Sequence, residues 1–160
     1  MKGVGDVRFQ VQTMKSLIVY VSVEHGNTEK VAKAISEVLG AELKEAKEVD
    51  PHALQNYELI GFGSGIFFSK FHARLLQLVT EMPQSSCKAF IFSTSGFGKT
   101  DVHEVLRKEL EAKGCKIVGD FACKGWDTYK LFKLTGGINK GRPDENDLAR
   151  AREFAKGLGT

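Results

Sequence analysis

The chain has 160 residues, 42% hydrophobic and 27% charged, with 23 basic against 20 acidic side chains and a formal net charge of +3. That length suits one domain burying roughly 70% of its unfolded surface without disulfide or metal staples, and the composition excludes collagen, coiled coil and disorder. The charge is too small and too evenly spread to argue for nucleic acid, and no apolar run approaches the ~20 residues of a membrane span.

Residues 1–13 (MKGVGDVRFQVQT) lack the apolar core of a signal peptide. They are expected to form a disordered extension, with Met14-Lys15 a second candidate start and a single domain over 14–160. Residues 16–22 (SLIVYVS) are near-continuously apolar, as a strand buried on both faces requires. Residues 28–39 place Val31, Ile35, Val38 and Leu39 at helical spacing, and Gly40 is a C-cap. Residues 41–46 predict a weaker, edge-like strand, and Asp50-Pro51 a short helical turn.

The pattern then repeats. Residues 58–64 (ELIGFGS) predict the third strand, 69–82 a helix, and 87–94 (CKAFIFST) the fourth strand. A helix over 101–113 is predicted with Thr100 or Asp101 as N-cap and Gly114 as its stop. Residues 115–123 predict the fifth strand, 124–142 a long irregular stretch, and 143–158 a final helix. Strands alternating with helices define an α/β fold with a parallel sheet covered on both faces. Such sheets bind ligands in the loops at the strands' C-terminal ends.

The loop after the first strand carries Ser22, His25, Gly26, Asn27 and Thr28 before a helix. Glycine permits close backbone approach, and the helix tip offers unpaired N–H groups and a positive dipole end, so the loop suits a phosphate. The alternative is that Asn27 or Thr28 simply caps the helix. The loop after the third strand, Gly65-Ile66-Phe67-Phe68, holds two adjacent phenylalanines that either wall a planar ring or cover the core or the next helix. The loop after the fourth, Thr94-Ser95-Gly96-Phe97, offers a second aromatic wall with hydroxyls and backbone groups beside it. Residues 124–142 contain the only Trp, Trp126, and a basic run; they either cap these loops or face a redox partner, or form a solvated loop packed by its aromatics.

Other chemistries find little support. Gly98-Lys99-Thr100 mimics the end of a P-loop, but Ser93 stands where its first glycine belongs. Gly61-Phe62-Gly63-Ser64-Gly65-Ile66 has Ile at the third glycine of a dinucleotide fingerprint. His25, His52, His72 and His103 show no metal-ligand spacing, and no Ser/His/Asp or Cys/His hydrolase signature occurs. No catalytic residue and no metal site is therefore assigned. Cys87, Cys115 and Cys123 form no disulfide framework and imply a reducing, cytoplasmic setting. Cys87 and Cys115 begin neighbouring strands and are expected close together as reduced thiols, opposite the ligand loops.

With the stretch LIVYVSVEHGNTEKVA (residues 17–32), the size and the β-α order, the chain resembles a flavodoxin over residues 16–158. The resemblance implies a three-layer sandwich whose five parallel strands run in the order 2-1-3-4-5, with FMN at the switch point in strand order. It implies phosphate contacts from Ser22, Gly26, Asn27 and Thr28, with His25 lending charge. It also implies flavin-ring contacts from Gly65, Ile66, Phe67 and Phe68 and from Thr94, Ser95, Gly96 and Phe97. His25 replaces the family's Thr before glycine, and the usual strong acidity is missing. The implied role is electron transfer between redox partner proteins, as monomer or homodimer. The alternative is an FMN-dependent oxidoreductase acting on a quinone or protoporphyrinogen.

Overall fold

Near-continuous apolar runs become the inner strands of a parallel sheet in the computed structural model, which describes residues 14–158 except 24 and 129. The proposed extension over 1–13 lies outside the described residues. In chain order the elements are β1 (Ser16–Val21), α1 (Asn27–Leu39), β2 (Glu42–Glu45), β3 (Leu59–Phe67), β4 (Lys70–Phe71), α2 (Ala73–Glu81), β5 (Lys88–Ser95), α3 (Glu104–Ala112), β6 (Lys116–Lys124) and α4 (Glu145–Leu158). Short 3₁₀ turns occupy Ala46–Glu48, Pro51–Asn56, Asp101–His103 and Lys130–Thr135.

The five parallel strands lie in the order β2-β1-β3-β5-β6, with two-residue β4 antiparallel to the end of β3. Leaving out β4, this is the expected 2-1-3-4-5 order. Alternation along the strands fills two cores. Leu17, Val19, Ile60, Phe62 and Ile91 face Leu75, Val79, Leu106 and Leu110 of α2 and α3. Ile18, Tyr20, Phe90, Phe92 and Phe121 face Val31, Ile35, Ala151 and Ala155 of α1 and α4. The glycines of β3 belong to this second face. A Cβ on Gly61 would overlap the Phe90 ring, and one on Gly63 the Phe92 ring. The run that mimics a dinucleotide fingerprint is therefore glycine-rich because two neighbouring phenylalanines lie across it.

The helix boundaries have local causes. Gly40 (φ 64°) closes α1 in the left-handed region, and Gly114 (φ 97°) follows α3. At α4, Asp144 Oδ1 accepts from the Asp147 amide at 2.9 Å while Asp147 Oδ2 accepts from the Asp144 amide at 2.8 Å. This reciprocal cap starts the helix two residues after the predicted Pro143.

Three further boundaries differ from the sequence reading. β3 runs on to Phe67 instead of stopping at 64. The predicted helix from 69 instead begins at Ala73, because Phe68 and Ser69 make a tight turn into β4. The helix predicted over 101–113 opens as a 3₁₀ turn, with no side-chain cap from Thr100. Among the described residues, no helix is long and apolar enough to cross a membrane.

Candidate functional site

The loops at the C-terminal ends of β1, β3, β5 and β6 converge on one end of the sheet. After β1 the backbone makes two consecutive left-handed residues, His25 (φ 54°) and Gly26 (φ 66°), and Gly26 is the N-cap of α1. Gly26 has no side chain to cap with, and a side chain from the end of β1 reaches the first turn of α1 instead. The candidate residues are engaged elsewhere. Ser22 Oγ accepts from the Glu29 amide at 3.3 Å. Thr28 Oγ1 lies 2.8 Å from Thr94 Oγ1 in a buried hydrogen bond. Asn27 donates from Nδ2 to the carbonyl of Trp126 at 2.8 Å. The Asn27 carbonyl oxygen is buried and has no hydrogen-bond partner among the described residues.

After β3 the chain turns through Phe68 (φ 51°) and Ser69 (φ 63°), and Phe67 pairs with Lys70. Positive φ at both central residues is the geometry of a type I′ hairpin, normally supplied by Asn-Gly. Such a conformation is uncommon for a bulky residue such as Phe68 and costs of order 1–3 kcal/mol. The turn leaves Phe68 outward, 64% exposed, while Phe67 stands edge-on to His72 with ring centroids 5.6 Å apart.

Two adjoining cavities result. The smaller, about 60 Å³, is walled by Asn27, Thr28, Gly65, Ile66, Phe67, Thr94 and Ser95, with Val23, Gly125, Trp126 and Asp127 completing it. The larger, about 410 Å³, is lined by Phe68 and Phe97, by Ile66, Ser95 and Gly96, and by the charged Lys99, Asp101 and Asp127. Ile66, Ser95 and Asp127 belong to both. Ser22, His25 and Gly26 line neither.

His25 instead stacks on Trp126, with centroids 3.7 Å apart and planes at 18°, and its Nε2 lies 3.0 Å from Thr128 Oγ1. The loop after β6 is thus drawn over the first loop. It is held there by several bonds. The Asp127 amide donates to Ile138 O at 3.0 Å, and the Ile138 amide to Asp127 O at 2.9 Å. Asn139 Nδ2 donates to the carbonyl of Gly96 at 2.8 Å. Gly125 is where the Asn27 amide tucks in, since a Cβ there would sit 2.7 Å from Asn27 Nδ2. Of the two readings of residues 124–142, Trp126 packs against the ligand loops; Tyr129 lies outside the described residues. Gly125 and Asp127 are site residues that sequence reasoning missed. Their signal was position alone, just past the last strand.

A second network lies directly beneath. Ser93 Oγ is 2.7 Å from His103 Nε2, His103 Nδ1 is 3.0 Å from Asp120 Oδ2, and an Arg107 amino group donates to the same Asp120 oxygen at 3.0 Å. Sequence motifs give no Ser/His/Asp signature, yet the fold assembles this order of groups. Ser93 and His103 are both 0% exposed, so no substrate reaches the hydroxyl and the chain of bonds is a structural tie. Burial holds the His103 pKa below its ordinary value, outweighing the pull of Asp120 in the other direction. The tie anchors the 3₁₀ turn that ends the Phe97 loop to β5 and β6.

An open parallel sheet with its cavities at the strand-order switch point is the architecture of the flavodoxin-like α/β proteins. The family model for the flavodoxin domain matches residues 17–131. The chain belongs to the flavodoxin-domain family. It is 48% identical over 147 residues to the uncharacterized protein MJ0298 of Methanocaldococcus jannaschii, covering 91% of this chain and 98% of that one. Among solved structures, a flavodoxin from the domain Archaea superposes with a TM-score of 0.68 at 19% identity, over 91% of this chain and 96% of that one. Oxidised flavodoxin 2 from Bacillus cereus gives 0.67 at 19% identity, over 90% and 97%. At such identities these two likenesses speak for the fold.

Proposed function

We propose that the chain binds FMN and passes electrons between redox partner proteins. The carrying observation is that Phe68 and Phe97, outward-facing aromatics of two different loops, line one cavity that shares Ile66, Ser95 and Asp127 with the smaller cavity at Asn27 and Thr28, the start of α1. At 64% and 72% exposure, both rings leave apolar surface in water that a flat conjugated ring would cover. The donor set fits the rest of FMN. Helix-tip amides with the Ser22 and Thr28 hydroxyls suit a phosphate. The orphaned Asn27 oxygen is an acceptor that a ribityl hydroxyl would satisfy, removing the cost of a buried unpaired polar atom.

When bound, FMN supplies the redox chemistry; the protein supplies binding, orientation and electrostatics. Apolar walls from Ile66, Phe68 and Phe97 exclude water from the ring. The charged residues of the lining are mixed, Lys99 against Asp101 and Asp127, so the cavity sets no strong field of one sign on the ring.

Titration of the purified protein with FMN, read by quenching of flavin fluorescence and by bands near ~375 and ~450 nm, tests this reading. Saturable uptake weakened by Phe97→Ala supports it; a colourless protein that leaves FMN fluorescence unchanged rejects it. Steady turnover of a quinone or protoporphyrinogen by the loaded protein would replace the carrier role with that of an oxidoreductase.

A further inference from the structure

At the opposite end of the sheet, Cys87 and Cys115 immediately precede β5 and β6. Lys88 pairs with Lys116 in register, and the Lys116 amide donates to the carbonyl of Cys87 at 3.0 Å. The two cysteines therefore stand side by side on adjacent strands, about 4.8 Å apart. That lies within the Cα separation of about 4.4–6.8 Å that a disulfide spans. Both side chains point into the α2–α3 core, and their sulfur atoms are 3.1 Å apart as free thiols. Cys123 belongs to the core on the other face and is remote from both.

The pair is asymmetric. Cys87 forms part of the wall of a cleft of about 490 Å³, together with Met14, Tyr57, Gln84, Ser85 and Lys88; Cys115 does not. The Cys115 S–H donating to Cys87 favours the Cys87 thiolate, and the Cys87 amide is held by Ser85 Oγ at 3.3 Å. Cys115 is shifted the other way, retaining its proton. Both cysteines are nearly buried, Cys87 5% and Cys115 4% exposed, and the one that belongs to the cleft wall is the one favoured as nucleophile.

We propose that Cys87 and Cys115 are a redox-active dithiol, oxidised to an intramolecular disulfide by a low-molecular-weight disulfide that enters the cleft beside Cys87. Cys87 gives up its proton to water, and its sulfur attacks one sulfur of the entering disulfide, expelling the other half as a thiolate. That thiolate takes the proton of Cys115. The Cys115 sulfur then attacks the Cys87 sulfur, closing the bond and expelling the second half, which recovers the proton that Cys87 released. Two protein thiols lose two electrons, and the small disulfide is reduced to two thiols.

The test exposes the native full-length chain to oxidised glutathione, then quenches with acid, denatures, alkylates and maps the peptides by mass spectrometry. The wild type should lose two hydrogens in mass, show Cys87 joined to Cys115, and leave Cys123 fully alkylatable. Cys115→Ser should stop with one glutathione on Cys87. Cys87→Ser should react at least about tenfold more slowly than the wild type, its remaining thiol of the pair having no face on the cleft. Three alkylatable cysteines in the oxidised wild type, a bond to Cys123, or Cys87→Ser reacting as fast as the wild type would each overturn the proposal. If a serine variant does not fold, the wild-type peptide map decides alone. None of these readouts involves flavin.

Discussion

The hydroxyls of Thr28, in the first turn of α1, and Thr94, next to last in β5, share a buried hydrogen bond of 2.8 Å. Residues 66 positions apart in the chain are thereby fixed to one another at the wall of the smaller cavity. Thr28→Val leaves the Thr94 hydroxyl buried and unpaired, at a cost of about 1–3 kcal/mol in stability. The double variant with Thr94→Val should cost less than the sum of the two single changes. Urea unfolding of the four proteins measures the coupling. On the proposed FMN reading, with Thr94 the donor in this pair, the Thr28 proton is left for a phosphate oxygen, and Thr28→Val should weaken FMN binding by about 1.5–3 kcal/mol, read by fluorescence titration.

Gly63→Ala should destabilise by about 1–3 kcal/mol, because the new methyl group overlaps the Phe92 ring within a close-packed face. Phe92→Leu in the same chain should recover part of the loss by making room. Thermal unfolding of both variants checks this; a neutral Gly63→Ala would show that the ring shifts freely.

Asp147 is 1% exposed and accepts from Arg142 Nε at 2.6 Å and from Arg142 and Arg150 amino groups at 2.8 Å each. The Arg142 bonds hold its carboxyl well below the usual carboxylate range. Asp147→Asn removes the charge and one of the two acceptor oxygens, so the arginine clamp and the Asp144 amide are left to share the one that remains. A loss of about 3–5 kcal/mol is expected from a buried pair split this way, measured as a lower denaturation midpoint with unchanged slope. In the wild type the stabilisation from this carboxylate is complete above its ordinary value of 3.8 and is lost only as the pH falls towards its depressed value.

His103 works in the opposite sense to a salt-bridged histidine. The folded chain keeps it neutral, chiefly by burial, while the unfolded chain takes up a proton near the ordinary value of 6.5. Below that pH the unfolded state binds more protons than the folded one, so stability should fall as the pH drops, until the depressed folded value is reached. His103→Gln removes this group's titration. The difference in stability between wild type and variant should therefore vary with pH below 6.5 and stay level above it; a level difference throughout would remove His103 from the account.

The core strands were readable because burial on both faces demands unbroken apolar runs, as in β1 and β5, and because Gly40 and Gly114 end helices by backbone conformation alone. The hairpin at Phe68-Ser69 was not readable. Its turn uses none of the residues that ordinarily adopt positive φ, and Phe71 of β4 stands at helical spacing from Leu75 and Leu78 of α2, which masks the strand. The loop residues of the candidate site were singled out by position at strand ends, whereas their partnerships were not. Asn27 is committed to the Trp126 carbonyl and His25 to the Trp126 ring, contacts across roughly a hundred residues that no local pattern encodes. The Ser93–His103–Asp120 tie was hidden for the same reason, its members lying on three different elements.

The smaller cavity draws its walls from Val23, Asn27 and Thr28 and from residues 65–67, 94–95 and 125–127, four segments that become neighbours only when the crossovers have set the strand order. No fragment missing β6 can own it. A ligand held there would select the finished topology from every partly assembled one, so occupancy would act as a late checkpoint on maturation of the whole chain.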